Sequence, residues 1–251
     1  MSTDHEAALA VVRSTSTPIH DIGTAIYLSS DVFGWAAEWG WTNPFAFYFA
    51  GRGGMLGDVS PEVVVSAMGW FEPGVAGAMF GEGVKDKPAS EAAARMAQAH
   101  SKWGEVHYAG VERIEEKVAV CEDLVGGLEG SAIPLFVGFR EVDQGETSAG
   151  RAAQLMQMLR EWRGGLHLVS TTAVGLSPLE AVLTNEGQGQ AKFLGWPEPF
   201  PDVEELKAKH EEAEEMTDRL CTAGLVAALD EDRFGAFESA VSAFRAATPS
   251  R

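Results

Sequence analysis

Residues 90–127, SEAAARMAQAHSKWGEVHYAGVERIEEKVAVCEDLVGG, form the longest periodic stretch of the chain. Positions that recur at steps of three, four or seven share one face of a helix or of a broken helix pair: Met96, His100, Trp103, His107, Ile114, Val118, Cys121 and Val125. Gly104 and Gly110 are expected kinks, and the pattern ends at Gly126-Gly127. Because the other long periodic segments are also helical, the sequence predicts a mainly α fold.

The helical segments divide into two predicted domains joined by a connection. Ser, Thr and Pro dominate residues 13–18, so residues 1–18 are predicted to be a flexible leader. Residues 19–130 are the predicted N-terminal helical domain, which is rich in aromatic residues. Residues 131–150 carry turn signals and are interpreted as the connection. Residues 151–247 are the predicted C-terminal helical domain.

Two helix starts carry strong local signals. Ser60 precedes Pro61, a cap followed by a first-turn proline, and the helix is expected to run to about Met68. Ser177 and Glu180 occupy the two positions of a capping box, which predicts another helix start.

The C-terminal domain has the outline of a winged-helix module. Its first helix should place Leu155, Leu159 and Trp162 on one face and stop at Gly164-Gly165. Residues 203–220 form a second apolar stripe, residues 224–226 are expected to be a short turn or strand, and a last helix begins near Phe234. The order helix, helix, short wing, helix predicts a winged-helix-like domain.

The composition restricts the classes of function. The 251 residues are 45% hydrophobic and carry a net charge of −18, which repels nucleic-acid phosphates and anionic lipids. Basic residues cluster in groups of two or three at most, and residues 204–215 carry a run of acids. We therefore expect neither a nucleic-acid partner nor membrane association.

The cysteines and the amino-terminal residues bear on location. Only Cys121 and Cys221 occur, without the spacing of a disulfide framework or a zinc site, so no metal is expected. The first residues lack the basic start and the long apolar run of a signal peptide. Together these features favour a cytoplasmic protein.

Glu161, Arg163 and His167 are the best local group of candidate site residues. A carboxylate, a guanidinium and an imidazole within seven residues can bind an anionic ligand or transfer a proton. In the structural alternative, Glu161 and Arg163 cap the helix and tie it to the N-terminal half, while His167 is a hydrogen-bonded buried group. We favour the structural alternative somewhat.

His100 and His107 suggest the wall of a pocket. They are seven residues apart, roughly 10 Å along a helix, which is too far for both to bind one metal ion. A polar-tipped core or pocket wall is therefore favoured over a metal centre. Either histidine alone could serve as an axial ligand to haem, but a single histidine is weak support for any cofactor.

The glycine-rich segment Gly51-Arg52-Gly53-Gly54 has two interpretations. Its amides and the guanidinium resemble an anion-binding nest. A tight interhelical turn, in which Arg52 binds carbonyl groups or an acid, is the favoured one.

The chain resembles a family of uncharacterised actinobacterial proteins catalogued as helix-turn-helix-like. The residues that carry the resemblance are FAFYFAGRGGMLG at 45–57, PEVV at 61–64 and LREWRGGLH at 159–167. The resemblance extends over residues 19–247 and implies no particular activity. An aspartate commonly follows the Arg-Gly step in that family, whereas this chain has Gly165 there.

Two functions are consistent with these features. The first is a small-molecule-binding protein, with or without enzymatic activity, whose pocket lies between the two helical halves. Arg52, Arg163 and His167 are then expected to face one shared pocket, with His100 and His107 in its wall. The alternative is a winged-helix-like transcription regulator or a protein-interaction module. The sequence indicates neither the cofactor nor the oligomeric state.

Overall fold

A computed structural model of the protein describes residues 3–250, which form helices and connecting turns and contain no β-strand. The mainly α prediction is thereby confirmed. The α-helices, in chain order, are α1 (Thr3–Tyr27), α2 (Ser30–Glu38), α3 (Pro44–Gly53), α4 (Pro61–Met68), α5 (Pro73–Gly83), α6 (Ala89–His107), α7 (Ile114–Gly127), α8 (Pro134–Glu141), α9 (Ser148–Ala173), α10 (Pro178–Asn185), α11 (Gly187–Phe193), α12 (Lys207–Ala228) and α13 (Phe234–Ala247).

Side-chain caps fix several of the helix starts. Asn43 accepts hydrogen bonds from the first backbone amides of α3, and Thr147 caps α9 in the same way. The capping box of Ser177 and Glu180 forms as the sequence predicts. Pro61 begins α4, which ends at Met68, also as predicted.

Helix α9 is the central helix of the fold. It packs against α1, α6, α7, α8 and α12. Its first half is buried on nearly every side, from Ala149 to Trp162, as expected for a helix surrounded by others. Polar groups on this helix, among them Gln154, Gln157 and Glu161, are therefore carried into the interior.

The predicted flexible leader is wrong for the part of residues 1–18 that the structure describes. Residues from Thr3 onward belong to α1, which packs against α9, α12 and α13. Val11 and Val12 are buried, and the hydroxyls of Thr15 and Ser16 donate to their carbonyl oxygens at 2.7 and 2.6 Å. Hydroxyl groups satisfied in this way do not interrupt the helix. Residues 1 and 2 lie outside the described residues.

The predicted stop at Gly164-Gly165 is also wrong, because α9 continues to Ala173. Gly165 lies against Ile133, and a methyl group on its α-carbon would overlap that side chain. The glycine thus serves close packing between helices and does not end one.

The wing expected at residues 224–226 is absent, since these residues lie inside α12. Gly224 packs against Trp162 of α9, so its small size again reflects a close contact between helices. The predicted C-terminal domain is therefore helical, as expected, but it lacks the predicted wing.

One hydrophobic core joins residues from both predicted domains, including Phe47 from the first and Leu155 and Phe244 from the second. A smaller cluster lies apart from it, around Val182 and Leu194 of the α10–α11 hairpin, with Trp70 and Trp196 packed against it. The division into two domains at residues 131–150 stays a prediction.

No single helix among residues 3–250 combines the length and hydropathy needed to cross a membrane. Only α9 and α10 taken together reach those values, and a bend of 109° separates them.

Candidate functional site

A cavity of about 220 Å³ opens between α1, α3, the α4–α5 turn, α9 and the α10–α11 hairpin. Its aromatic wall consists of Tyr27, Phe45, Tyr48, Trp70, Phe71 and Phe193. Three guanidinium groups also line it, those of Arg52, Arg160 and Arg163. Two acids, Glu186 and Glu214, line it as well, so the cavity combines flat apolar surfaces with several charged groups.

Glu161 lies directly behind the cavity and ties α9 to α1 and α3. Its side chain is 2% exposed and accepts two hydrogen bonds from Arg52, from Nη2 at 2.7 Å and from Nε at 3.0 Å. The Tyr27 hydroxyl donates to the same carboxylate at 3.1 Å, and Arg160 Nη1 donates at 3.1 Å. Arg52 also donates to the Tyr48 hydroxyl at 2.9 Å.

The charges of this network follow from its contacts. Burial by itself would raise the pKa of Glu161, but Arg52 and Arg160 outweigh burial and hold that pKa below its usual range. Burial also raises the pKa of the Tyr27 phenol, and the negative Glu161 raises it further. At neutral pH the network therefore consists of an ionised carboxylate, charged guanidinium groups and a neutral phenol.

A second polar group lies where α9 approaches α12. Arg163 donates to Ser16 Oγ at 3.1 Å and to Glu214 Oε2 at 2.8 Å. His167 Nδ1 lies 2.9 Å from Thr217 Oγ1, and its ring centre is 5.5 Å from that of Trp70. Burial is the main reason that the pKa of His167 falls to about 4, so the ring is neutral at pH 7.

The structure brings three of the predicted site residues to one cavity: Arg52, Arg163 and His167 all line it. Glu161 contacts Arg52 from behind. Sequence analysis expected these groups to share a pocket because Leu159 and Trp162 turn α9 toward the core, and both are buried.

The two histidines of α6 do not line this cavity. His100 is 1% exposed, and its ring packs edge-on against Tyr27 at 5.3 Å and parallel to Phe139 at 6.1 Å. His107 lies against Trp103 at 4.3 Å, with Nε2 3.6 Å from Asp31 Oδ2. Their predicted place in the pocket wall is therefore wrong, because the ring of His100 is enclosed between Tyr27 and Phe139, and that of His107 lies beside Asp31 of α2.

The segment Gly51–Gly54 is neither the anion-binding nest nor the interhelical turn that the sequence suggested. Gly51 and Gly53 belong to α3 and Gly54 opens the 3-10 turn Gly54–Leu56, all of them buried. A methyl group on Gly54 would overlap the carbonyl of Ala89, so the segment packs tightly against α6. The expectation that Arg52 binds an acid is confirmed by its contact with Glu161.

Arg160 and Glu186 also belong to the site, although neither was predicted as a site residue from the sequence. Arg160 lies on α9, lines the cavity and contacts Glu161. Glu186 lies between α10 and α11 and lines the same cavity. Arg160 could have been predicted as a site residue because it neighbours Glu161 on a helix that faces the core. No local pattern predicts that Glu186 lies at the cavity.

Sequence analysis also missed a set of cations that only folding brings together. Lys87 Nζ lies 4.3 Å from the ring of Trp41, Lys102 Nζ 4.3 Å from Trp35, and the Arg95 guanidinium 5.1 Å from Trp39. We call these six residues the tryptophan–cation face. Arg95 and Lys102 lie seven residues apart on α6, and Lys87 lies two residues before that helix, so no short basic run in the sequence marks the three cations.

No group of three or more His, Cys, Asp or Glu side chains within residues 3–250 is arranged to bind a metal ion. Cys121 and Cys221 are free and buried, and burial raises the pKa of each thiol to about 12.

The fold and the site together define a mainly α protein with an aromatic, arginine-lined cavity at its centre. Residues 12–201 match the model of a helix-turn-helix family, and the chain belongs to that family. The helix-turn-helix-like resemblance is thereby confirmed, while its actinobacterial part stays a prediction. The chain matches no curated protein and no solved structure.

Proposed function

We propose that the protein binds a small organic molecule with a flat apolar body in the cavity lined by Arg52, Arg160 and Arg163. The observation that carries this proposal is the convergence of three guanidinium groups and six aromatic rings on one cavity. Ligand sites typically combine apolar walls with a few polar groups that orient the ligand. The cytoplasmic location inferred from the sequence belongs to the same proposal.

The mouth of the cavity supports this proposal. Phe45 and Phe193 are 43% and 52% exposed, and their rings meet edge to face at 6.3 Å. Both residues line the cavity. Contiguous exposed apolar side chains often mark a binding surface, and these two adjacent rings offer an apolar entrance for a ring-bearing molecule.

We expect the substitution Gly164→Leu to block ligand binding without disturbing the fold. Gly164 lines the cavity on α9, and no atom lies within 4 Å of the position that its β-carbon would take. The new side chain would therefore fill the cavity, and leucine favours a helix over glycine by about 1 kcal/mol. Thermal shift and tryptophan fluorescence titrations with one- and two-ring aromatic compounds should show at least about tenfold weaker binding.

Gly81→Leu provides the matched control. Gly81 is also a helical glycine with no atom within 4 Å of its β-carbon position, but it does not line the cavity. This variant should bind like the wild type. If Gly164→Leu also bound like the wild type, or if no compound bound the wild type, the cavity would not be a ligand site.

A second candidate function is a DNA-binding regulator, which membership of the helix-turn-helix family favours. This membership weighs against the expectation of no nucleic-acid partner. Helices α4 and α5, joined by a short turn that contains Gly69, have the size of such a motif. Because α5 contains no lysine or arginine, the tryptophan–cation face on α6 is the better candidate for phosphate contacts.

We expect the pair of substitutions Arg95→Gln and Lys102→Gln to test this second candidate. If the tryptophan–cation face binds duplex DNA, the double variant should weaken binding and reduce its salt dependence by about two phosphate contacts. Fluorescence anisotropy with labelled duplex over a range of salt concentrations measures both. Lys207→Gln, an exposed lysine paired with Glu204, is the control. Absence of binding by the wild type would reject this candidate and leave the cavity proposal unaffected.

A further inference from the structure

Arg160 has more hydrogen-bonding capacity than its neighbours use. Its side chain is 20% exposed, and Nη1 makes its one hydrogen bond within the described residues, to Glu161 Oε1 at 3.1 Å. Nε is buried and has no hydrogen-bond partner among those residues. Since a guanidinium has five N–H donors, most of those of Arg160 remain for another acceptor.

The Arg160 side chain is held in position by its surroundings. Its guanidinium lies 5.2 Å from the centre of the Tyr27 ring. A β-carbon at Gly23 would overlap the Arg160 stem, so the glycine of α1 leaves room for this arginine. A charged group that is fixed before the ligand arrives loses little entropy on binding.

One carboxylate faces two guanidinium groups at this point. Glu161 makes its two shortest bonds with Arg52, at 2.7 and 3.0 Å, and Arg160 shares an oxygen that Arg52 and Tyr27 already use. Without Glu186, these three side chains carry one surplus positive charge, and it lies on Arg160, the more weakly bonded guanidinium. Charges at partly buried sites are normally paired, and a ligand anion would pair this one.

Of the other charged groups around the cavity, one pair is neutral and one acid opposes this surplus. Arg163 is paired with Glu214 at 2.8 Å. Glu186 lies at the cavity wall but forms no ion pair among the described residues. Partial burial raises the pKa of Glu186, against the opposing effect of Arg160. Glu186 is thus an acid close to Arg160 that would repel a second anion.

These charges indicate a monoanion. A planar carboxylate matches the geometry of a guanidinium, can accept from the unused donors of Arg160, and adds only one negative charge beside Glu186. A phosphate monoester, with nearly two charges at pH 7, would leave one of them unpaired beside Glu186. The aromatic side chains around the rest of the cavity fit a ring.

We infer that the ligand of the cavity is an aromatic monocarboxylate whose carboxylate binds Arg160 and whose ring lies against the aromatic wall. This inference rests on the proposed function. Glu186 weakens the binding of the anion, and Arg160 gives the site its preference for an acid over a neutral analogue of the same shape.

Calorimetric titrations with 1-naphthoate and 1-naphthamide, which share one ring system, test the inference. The wild type should bind the acid at least about tenfold more tightly than the amide, the range expected for hydrogen bonds to a charged group. Arg160→Gln should remove this preference and leave amide binding nearly unchanged. Glu161 keeps Arg52 and Tyr27 as partners in that variant, so the fold should persist.

Glu186→Gln gives an independent readout in the opposite direction. Removing the competing charge should strengthen binding of the acid a few-fold and leave the amide unaffected. Glu198→Gln, on an exposed acid that pairs with Lys192 outside the cavity, is the matched control and should change neither affinity.

Equal wild-type affinity for acid and amide, or a persisting preference in Arg160→Gln, would overturn the inference and leave the proposed function standing. Binding of neither compound would contradict the proposed function itself.

Discussion

Replacing Glu161 by leucine is expected to lower the free energy of unfolding by about 3–5 kcal/mol, the range for breaking a buried ion pair. The Arg52 side chain is 8% exposed, and its guanidinium would lose both of its hydrogen bonds to the carboxylate. Arg160 and the Tyr27 hydroxyl would lose a partner as well. For a chain of this length the melting temperature should fall by roughly 10 °C.

The double variant Arg52→Met with Glu161→Leu separates ion pairing from simple loss of packing. Replacing both buried charges by apolar groups of similar volume often restores stability. The double variant should therefore be more stable than Glu161→Leu alone, as measured by urea unfolding at pH 7. A double variant at least as unstable as the single one would show that shape, and not charge pairing, dominates at this position.

This network places the structural and the ligand-binding roles on different residues. Glu161 and Arg52 bind each other and tie α9 to α3, as the structural alternative for Glu161 expected. Arg163 likewise ties α9 to α1 through Ser16. Arg160 is the arginine of the cavity with the fewest partners, so the candidate ligand contact lies one residue before the carboxylate that the sequence singled out.

Local signals in the sequence predicted the helix starts well. The Ser177 capping box specifies its helix start through hydrogen bonds within one turn, and Pro61 favours the first helical position through its fixed φ, although the Ser60 side chain makes no capping hydrogen bond. The helix end predicted at Gly164-Gly165 and the wing predicted at Gly224 were wrong. A glycine that ends a helix and a glycine that lets a neighbouring helix approach look the same in a sequence. Only the position of Ile133 and of Trp162 in space distinguishes the two cases.

The candidate site could be predicted in part for a related reason. Arg163 and His167 follow Trp162 on α9, so the helical period places them near the same cavity. Arg52 was predicted to bind an acid, and it binds Glu161. Glu186 reaches the cavity through the fold of the α10–α11 hairpin. Its approach depends on tertiary packing that no local pattern reveals.

His100→Leu is expected to make the protein more resistant to acid. Burial is the main cause that lowers the pKa of His100 to about 3, with Glu161 opposing and Arg160 adding to the effect. The ring therefore stays neutral in the folded protein at pH values where the same side chain of the unfolded chain, with a pKa of 6.5, takes up a proton. Stability is fully present above pH 6.5 and is lost as the pH falls toward 3.

The unfolded chain binds a proton at His100 that the folded chain does not bind, and this difference sets the size of the effect. That difference costs about 1.4 kcal/mol for each pH unit below the unfolded pKa, so at pH 4.5 the variant should gain roughly 2–3 kcal/mol over the wild type. At pH 7 the two should be similar, because leucine is apolar and His100 Nε2 has no hydrogen-bond partner among the described residues.

Urea unfolding at pH 7, 5.5 and 4.5 measures the difference. His107→Gln removes the other histidine of α6, which is partly exposed beside Asp31, and should keep the wild-type dependence on pH. Some acid sensitivity should remain in His100→Leu, because burial also lowers the pKa of His167 to about 4. Parallel curves for His100→Leu and the wild type would mean that His100 is protonated in the folded protein, and its place between Tyr27 and Phe139 would then have to accommodate a charge.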